Sequence, residues 1–231
     1  ALWLVLRLSP SCVVGLGGYV AGPAGVAAWL LRKPLIIQEQ NAVAGTSNRM
    51  LAPLATQVFT GFSGAFPTDV KNQTVGNPVR AELILKAANN NYDYNGQRAL
   101  RLLIIGGSLG AKAINDVMPN TLLELSARGL ADNILVRHQC GEIHAGVVTR
   151  AYHEQFESQV TVFPFIEDMA EAYAWADVVL CRAGALTVSE LAIMGRPAIL
   201  IPLPQAIDDH QTFNARSLER VGAALLLAQG D

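Results

Sequence analysis

Charge is scarce in this chain. Asp, Glu, Lys and Arg make up 16% of its 231 residues, and 17 basic against 19 acidic side chains leave a net charge of −2. No basic field is available for a nucleic-acid partner, so none is expected. The shortage of charge goes with 51% hydrophobic residues, which excludes the composition of a disordered chain. Cysteine is rare and odd in number: Cys12, Cys140 and Cys181 show no C-x-x-C spacing. That argues against a disulfide scaffold or zinc ribbon and for a reducing cytoplasm. There is no Asp-x-Asp, and His138 and His210 stand in no ligand spacing, so no metal site is expected. A signal peptide's basic, apolar and cleavage-site order is missing. The chain starts at Ala1 and has its first Met at Met50, which reads as an incomplete reading frame. Leu8–Leu31 is uncharged and long enough to span a bilayer, but its five glycines and Pro23 read better as strand, glycine turn and helix.

What is present is alternation. Short runs of Val, Ile and Leu exchange with helix-like stretches, the pattern of βαβ units around a parallel sheet buried on both faces. In the first part, strands are predicted at Cys12–Leu16, Leu35–Gln38 and Gln57–Thr60, with helices at Gly22–Leu31 and Gly45–Leu54. Residues Gly61–Asn77 turn polar and irregular, and Asn89–Gly96 reads as an exposed loop after a short helical segment. From Arg101 a fresh doubly wound pattern starts. Strands are predicted at Arg101–Ile105, Ile134–Arg137, Val160–Phe163, Val178–Cys181, Ala198–Ile201 and Ala223–Leu227. Helices fit at Ala111–Ala127, Glu142–Glu157, Met169–Trp175, Leu186–Met194 and Asp209–Val221, with Gly129, Gly195 and Gly222 as stop signals. The expected division is 1–78 and 79–231: an α/β chain whose second part is a complete Rossmann-like domain and whose first part lacks its front.

Several loops follow strands and open helices. Gly106-Gly107-Ser108-Leu109-Gly110-Ala111 has the glycines and the helix start that a phosphate needs, or it is a turn packing a helix onto a sheet. A dinucleotide site would want Asp or Glu at the end of the next strand, and Arg137-His138-Gln139-Cys140 offers none, which disfavours NAD. Ala185-Leu186-Thr187-Val188-Ser189-Glu190 again runs from a buried strand into a helix. Its first N–H groups suit a diphosphate and Glu190 suits the two hydroxyls of a ribose, while the plain alternative makes Glu190 a complement to the helix N-terminus. Gln211 donates and accepts at once, as sugar hydroxyls require. Arg80 is the candidate cation for phosphate. In the first part, Gly17-Gly18-Tyr19 and Gln38-Glu39-Gln40-Asn41 each follow a strand. Glu39 is either a base or a capping group. Trp29, Leu30 and Leu31, followed by Arg32 and Lys33, combine an apolar helix face with a basic end, which suits core packing or a membrane surface.

Taken together these motifs resemble the MurG family of bacterial glycosyltransferases. The resemblance runs over essentially the whole chain and rests on Gly17-Gly18-Tyr19 with Gly22-Pro23, Glu39-Gln40-Asn41, Val75-Gly76-Asn77-Pro78-Val79-Arg80, Gly106-Gly107-Ser108 and Ala185–Glu190, with Phe165–Met169 and Gln211–Ala215 in support. It implies a GT-B fold of two Rossmann-like domains, the first truncated at its N-terminal side. It also implies inverting transfer of N-acetylglucosamine from UDP-N-acetylglucosamine to an undecaprenyl-linked muramyl-pentapeptide, with no cofactor and no metal. The implied place is the cytoplasmic face of the bacterial inner membrane, as a peripheral protein. Carried over by residue, Ile166 meets uracil through its backbone and Glu190 holds the ribose. Ser108, Arg80 and the turn at Ala185, Leu186 and Thr187, continued by Val188 and Ser189, surround the diphosphate. Gln211 and Asn41 meet the sugar, and Tyr19 and Glu39 are acceptor-side candidates.

The family's catalytic His belongs to a glycine-rich loop that this chain lacks, as it lacks the family's closing helical segment. The base is therefore unassigned, and transfer by the chain alone is not expected. Gln38 and Cys12 stand where the family commonly has His and Asp. Three other readings are a UDP-sugar 2-epimerase on the same fold, a nicotinamide-dependent oxidoreductase, and a non-catalytic nucleotide-sugar-binding remnant.

Overall fold

The apolar runs become two separate all-parallel sheets. The structure, a computed structural model, describes residues 1–107, 109–153 and 156–230. Ala1–Pro78 with Gly184–Ser189 and Gln205–Ser217 form one unit, and Val79–Ala183 with Glu190–Pro204 and Leu218–Asp231 form a second.

In the first unit, α1 (Leu2–Leu8), β1 (Val13–Gly15), α2 (Ala21–Leu30), β2 (Leu35–Glu39), α3 (Thr46–Leu51), β3 (Gln57–Thr60) and β4 (Gln73–Thr74) follow in order. The strands lie in the order β1-β2-β3-β4, with Val13 opposite Leu35 and Ile37 opposite Val58. Leu35, Ile37, Leu51, Val58 and Phe66 form the core. The predicted strands are present. Two elements were not expected from the sequence, α1 and β4, so the sheet has four strands among the described residues rather than three. Helix Gly45–Leu54 is α3 followed by a 3-10 turn at Ala52–Leu54, where Pro53 has no N–H to continue the α ladder.

The second unit contains α4 (Ala81–Ala88), β5 (Leu100–Ile105), α5 (Lys112–Ala127), β6 (Ile134–Gln139), α6 (Ala145–His153), β7 (Val160–Phe163), α7 (Met169–Trp175), β8 (Val178–Cys181), β9 (Ala198–Leu200) and β10 (Ala224–Leu226). Helices α8 (Ala185–Met194) and α9 (His210–Glu219) lie between the last strands. The order β10-β9-β8-β5-β6-β7 is that of a Rossmann sheet, and its strand order reverses between β5 and β8, the place where open α/β sheets bind ligands. The core packs Ile104, Ile114, Met118, Leu122, Val136, Val148, Tyr152 and Phe156 together. Gly129, Gly195 and Gly222 all have positive φ just past α5, α8 and α9, as left-handed helix stops do. Asp168 caps α7 by accepting from the Glu171 N–H at 2.8 Å.

Most element ends lie within two residues of the sequence reading, and two differences bear on the site. Strand β6 runs on through His138 and Gln139, because both polar side chains find partners inside the protein. Glu142–Glu157 divides into a 3-10 turn at Glu142–His144 and α6, and the end of that expected helix lies outside the described residues. The Leu8–Leu31 stretch is divided among the end of α1, β1 and α2, and no helix among the described residues is long and apolar enough to cross a membrane.

Candidate functional site

In the second unit the loops after β5, β6 and β7 are fastened to one another. Gly110 sits at φ +78°, and a Cβ there would lie 1.9 Å from the Cys140 carbonyl oxygen, so no side chain fits where the two loops touch. Gln139 is buried and uses its whole amide on backbone. Its Oε1 accepts from the Gly106 N–H at 3.2 Å, and its Nε2 donates to the carbonyls of Gly107 at 2.9 Å and Pro164 at 3.2 Å. One side chain thereby ties the glycine loop to the loop that carries Ile166. Ser108 lies outside the described residues.

Behind these loops His138 is enclosed. Its Nδ1 pairs with the Tyr152 hydroxyl and its Nε2 with Asn115 Oδ1, both at 3.0 Å, while Asn115 Nδ2 donates to the Cys140 carbonyl at 2.9 Å. Burial lowers the imidazole to about 4, so it is neutral at physiological pH and serves as scaffold.

Glu190 lies one turn into α8 with both carboxylate oxygens engaged. Arg80 donates to Oε1 at 3.1 Å, and the Tyr173 hydroxyl donates to Oε2 at 3.0 Å. Arg80, expected beside a diphosphate, thus pairs with Glu190. Its side chain is half exposed, a setting in which an ion pair contributes little by itself. Arg80 also borders a cavity of about 710 Å³ with Leu83, Lys86, Asp168, Met169 and Glu171. A smaller hollow of about 230 Å³ joins Ile166 to Phe163, Phe165 and Arg137. Arg137 is fixed there, donating to Glu171 at 2.8 and 3.1 Å while its guanidinium lies 4.3 Å from the Trp175 ring centroid. Arg182 ties β8 to the next loop by donating to the carbonyls of Ile201 and Pro202 at 3.1 and 3.2 Å.

The first turn of α8 belongs to the first unit. Val188 donates to the Gly184 carbonyl at 2.9 Å, and Ala185, Leu186 and Thr187 occupy the helix start, where N–H groups lack intrahelical partners. The Ser189 hydroxyl donates back to the Ala185 carbonyl at 2.9 Å.

Elsewhere in the first unit, Glu39 is 3% exposed and organises the loop after β2. Its Oε1 accepts from the Asn41 N–H at 2.9 Å and Asn41 Nδ2 at 3.3 Å, and its Oε2 accepts from the Gly45 N–H at 3.0 Å and Asn48 Nδ2 at 2.8 Å. These bonds are those of a capping group. Asn41 Oδ1 accepts from Asn214 Nδ2 at 3.1 Å, and the Ala42 N–H donates to Asn214 Oδ1 at 2.7 Å. Gln211 is the second residue of α9 and half buried, and Tyr19 is 89% exposed in the turn before α2.

The first unit also carries an apolar face. Leu2, Trp3, Leu6 and Leu8 of α1 and Val26, Trp29 and Leu30 of α2 are exposed. A groove of about 620 Å³ is lined by Leu2, Pro23, Val26, Leu30, Met50 and Leu54. Arg7, Arg32 and Lys33 stand at the ends of these helices.

Sequence reading missed Tyr173, Gln139, Asn115 and Arg182. Tyr173 lies inside the helix predicted at Met169–Trp175, where sequence reading assigned it no role. The usable signal was its hydroxyl, since a buried tyrosine needs a partner for that group.

Among known proteins, the chain matches the Glycosyltransferase family 28 C-terminal domain over residues 101–231 and the Glycosyltransferase family 28 N-terminal domain over residues 1–60. A curated relative from Pseudomonas entomophila (strain L48) is 53% identical over 227 residues, which are 98% of this chain and 61% of that protein. It is named UDP-N-acetylglucosamine–N-acetylmuramyl-(pentapeptide) pyrophosphoryl-undecaprenol N-acetylglucosamine transferase. The protein of the same name from Tolumonas auensis is 49% identical over 229 residues, covering 99% of this chain and 63% of its own length. The chain thus spans about three-fifths of the length of these curated relatives. The crystal structure of MurG from Acinetobacter baumannii superposes with a TM-score of 0.82 at 39% identity, covering 99% of this chain and 63% of that one. The glycosyltransferase of kitacinnamycin superposes at 0.66 with 16% identity, covering 98% and 65%, a likeness of fold alone.

Proposed function

Because the chain belongs to glycosyltransferase family 28, we propose that it recognises UDP-N-acetylglucosamine and serves the inverting, metal-independent transfer of that sugar to an undecaprenyl-linked muramyl-pentapeptide in peptidoglycan synthesis. Its α/β fold is of the GT-B type. The observation that carries the reading is Glu190: a half-buried carboxylate, one turn past a helix start that follows a buried strand, held on each oxygen by a donor. Each of those oxygens retains a lone pair for a ribose hydroxyl. Ile166 is assigned to uracil. The start of α8 at Ala185, Leu186 and Thr187, together with Arg80 and Ser108, is assigned to the diphosphate, and Gln211 and Asn41 to the sugar.

The chemistry needs little else. The acceptor 4-hydroxyl attacks the anomeric carbon from the face opposite the diphosphate, the bond from that carbon to the β-phosphate oxygen breaks, and UDP departs with the electron pair. The new negative charge is stabilised by helix N–H groups and a guanidinium. The hydroxyl proton passes to a general base whose identity is unassigned. Since the acceptor is a lipid, the apolar face of α1 and α2 with its basic flanks is assigned to the membrane surface, which implies a peripheral protein at the cytoplasmic face of the inner membrane.

Calorimetry of the 231-residue chain with UDP-N-acetylglucosamine, UDP and NAD tests the donor assignment. Both uridine nucleotides bind, and Glu190→Ala weakens them by about 1–3 kcal/mol, as expected for losing charge-assisted hydrogen bonds. Binding of NAD with no response to UDP overturns it.

A further inference from the structure

We propose that Tyr173 is a positioning residue for nucleotide recognition: its buried hydroxyl sets the Glu190 carboxylate for a vicinal diol and so provides selectivity for ribonucleotides over 2′-deoxyribonucleotides. The proposal rests on the reading of Glu190 as the ribose ligand and assigns the group that makes that ligand selective.

Three observations converge. Tyr173 is 1% exposed, in the middle of α7, so its ring cannot move to find water. Its hydroxyl donates to Glu190 Oε2 at 3.0 Å, while Arg80 reaches the other oxygen from a side chain that is half exposed. The two donors are therefore unequal. The half-exposed Arg80 side chain has room to turn from Glu190 toward a phosphate, whereas the enclosed Tyr173 ring has none. The phenol thus fixes the carboxylate's rotamer and plane before ligand arrives, and a preorganised acceptor loses less entropy on binding. Burial also holds the phenol well above its ordinary range, so it remains an O–H donor throughout the working pH. A carboxylate that receives one donor on each oxygen has one lone pair left on each, spaced for neighbouring hydroxyls.

Tyr173→Phe removes one oxygen and leaves the ring in its core. Equilibrium binding of UDP and 2′-deoxy-UDP to the whole chain is compared for wild type, Tyr173→Phe, Glu190→Gln and the double variant. Wild type prefers UDP, and Tyr173→Phe lowers the ratio of the two affinities by about tenfold, as expected for loosening a charge-assisted contact. The double variant discriminates no worse than Glu190→Gln alone, since both act through one carboxylate. A ratio unchanged in Tyr173→Phe, or an equal loss for both ligands, shows a merely structural tyrosine and overturns the proposal. If Tyr173→Phe fails to fold, 3-fluorotyrosine at position 173, a stronger donor, replaces it; a ratio identical to wild type then overturns the proposal. Wild type that binds neither nucleotide, or both equally, instead overturns the reading of Glu190, and the proposal falls with it.

Discussion

The backbone N–H of Gly106 donates to Gln139 twice, to its main-chain carbonyl at 3.0 Å and to its side-chain Oε1 at 3.2 Å. The other end of the same amide holds the Gly107 and Pro164 carbonyls. In the proposed function these loops meet the diphosphate and the uracil, so Gln139 fixes the distance between the two halves of the ligand site. Gln139→Leu leaves two carbonyls without that donor and lowers stability by about 2 kcal/mol. It weakens UDP more than uridine, because only UDP needs both loops at once. Denaturant unfolding with paired titrations measures this, and equal losses for the two ligands contradict it.

His138 gives the fold a pH dependence. The unfolded imidazole takes up its proton near pH 6.5, whereas the folded one stays neutral down to about 4. Between those values the unfolded chain binds more protons, so stability falls as pH drops and levels off below the folded value. The loss from pH 7 to pH 5 amounts to about 2 kcal/mol. Urea midpoints across that range show the slope in wild type and a flatter one in His138→Gln. The same slope in both assigns the pH dependence to other groups.

Glu39 is expected to act on stability before it acts on chemistry. Glu39→Ala strips the acceptor from four N–H groups and costs about 3 kcal/mol, while Glu39→Gln, which keeps one acceptor oxygen, costs roughly half that. Thermal unfolding of both variants measures the difference. Wild-type stability in both returns Glu39 to the candidate bases.

The face of α1 and α2 carries the membrane assignment. Co-flotation of the chain with vesicles containing anionic phospholipid falls when Trp3 and Trp29 are changed to Ser and Arg32 and Lys33 to Gln, and wild-type binding weakens as salt rises. Flotation unchanged in the fourfold variant shows an exposed apolar face that does not meet lipid.

Most strands were legible because a parallel strand covered on both faces is a near-continuous apolar run, as Val178–Cys181 is throughout and Leu100–Ile105 is apart from Arg101. Strand β4 was not, since Gln73 and Thr74 are exposed and pair with Phe59 and Thr60 through backbone, with a single hydroxyl contact at 3.0 Å between Thr74 and Thr60. Helix α1 was hidden for the opposite reason: its residues are apolar almost throughout, and Ala1 offers no side-chain cap. The candidate site divided in the same way. Glycine turns and Glu190 could be read from local order along the chain. The partners that orient them could not: Tyr173 is 17 residues from Glu190 and Gln139 is 32 from Gly107, and only the packing of α7 and β6 brings them together.

The most direct test of the account is amide chemical-shift mapping of the 231-residue chain titrated with UDP. The account predicts that the largest shifts fall at Gly106, Gly107, Leu109, Ile166, Leu186, Thr187 and Glu190, with little change at Gly129, Leu130 and Asn133, which border a separate cavity beside Tyr94. Shifts confined to that second group, with Ile166 and Glu190 unmoved, contradict it.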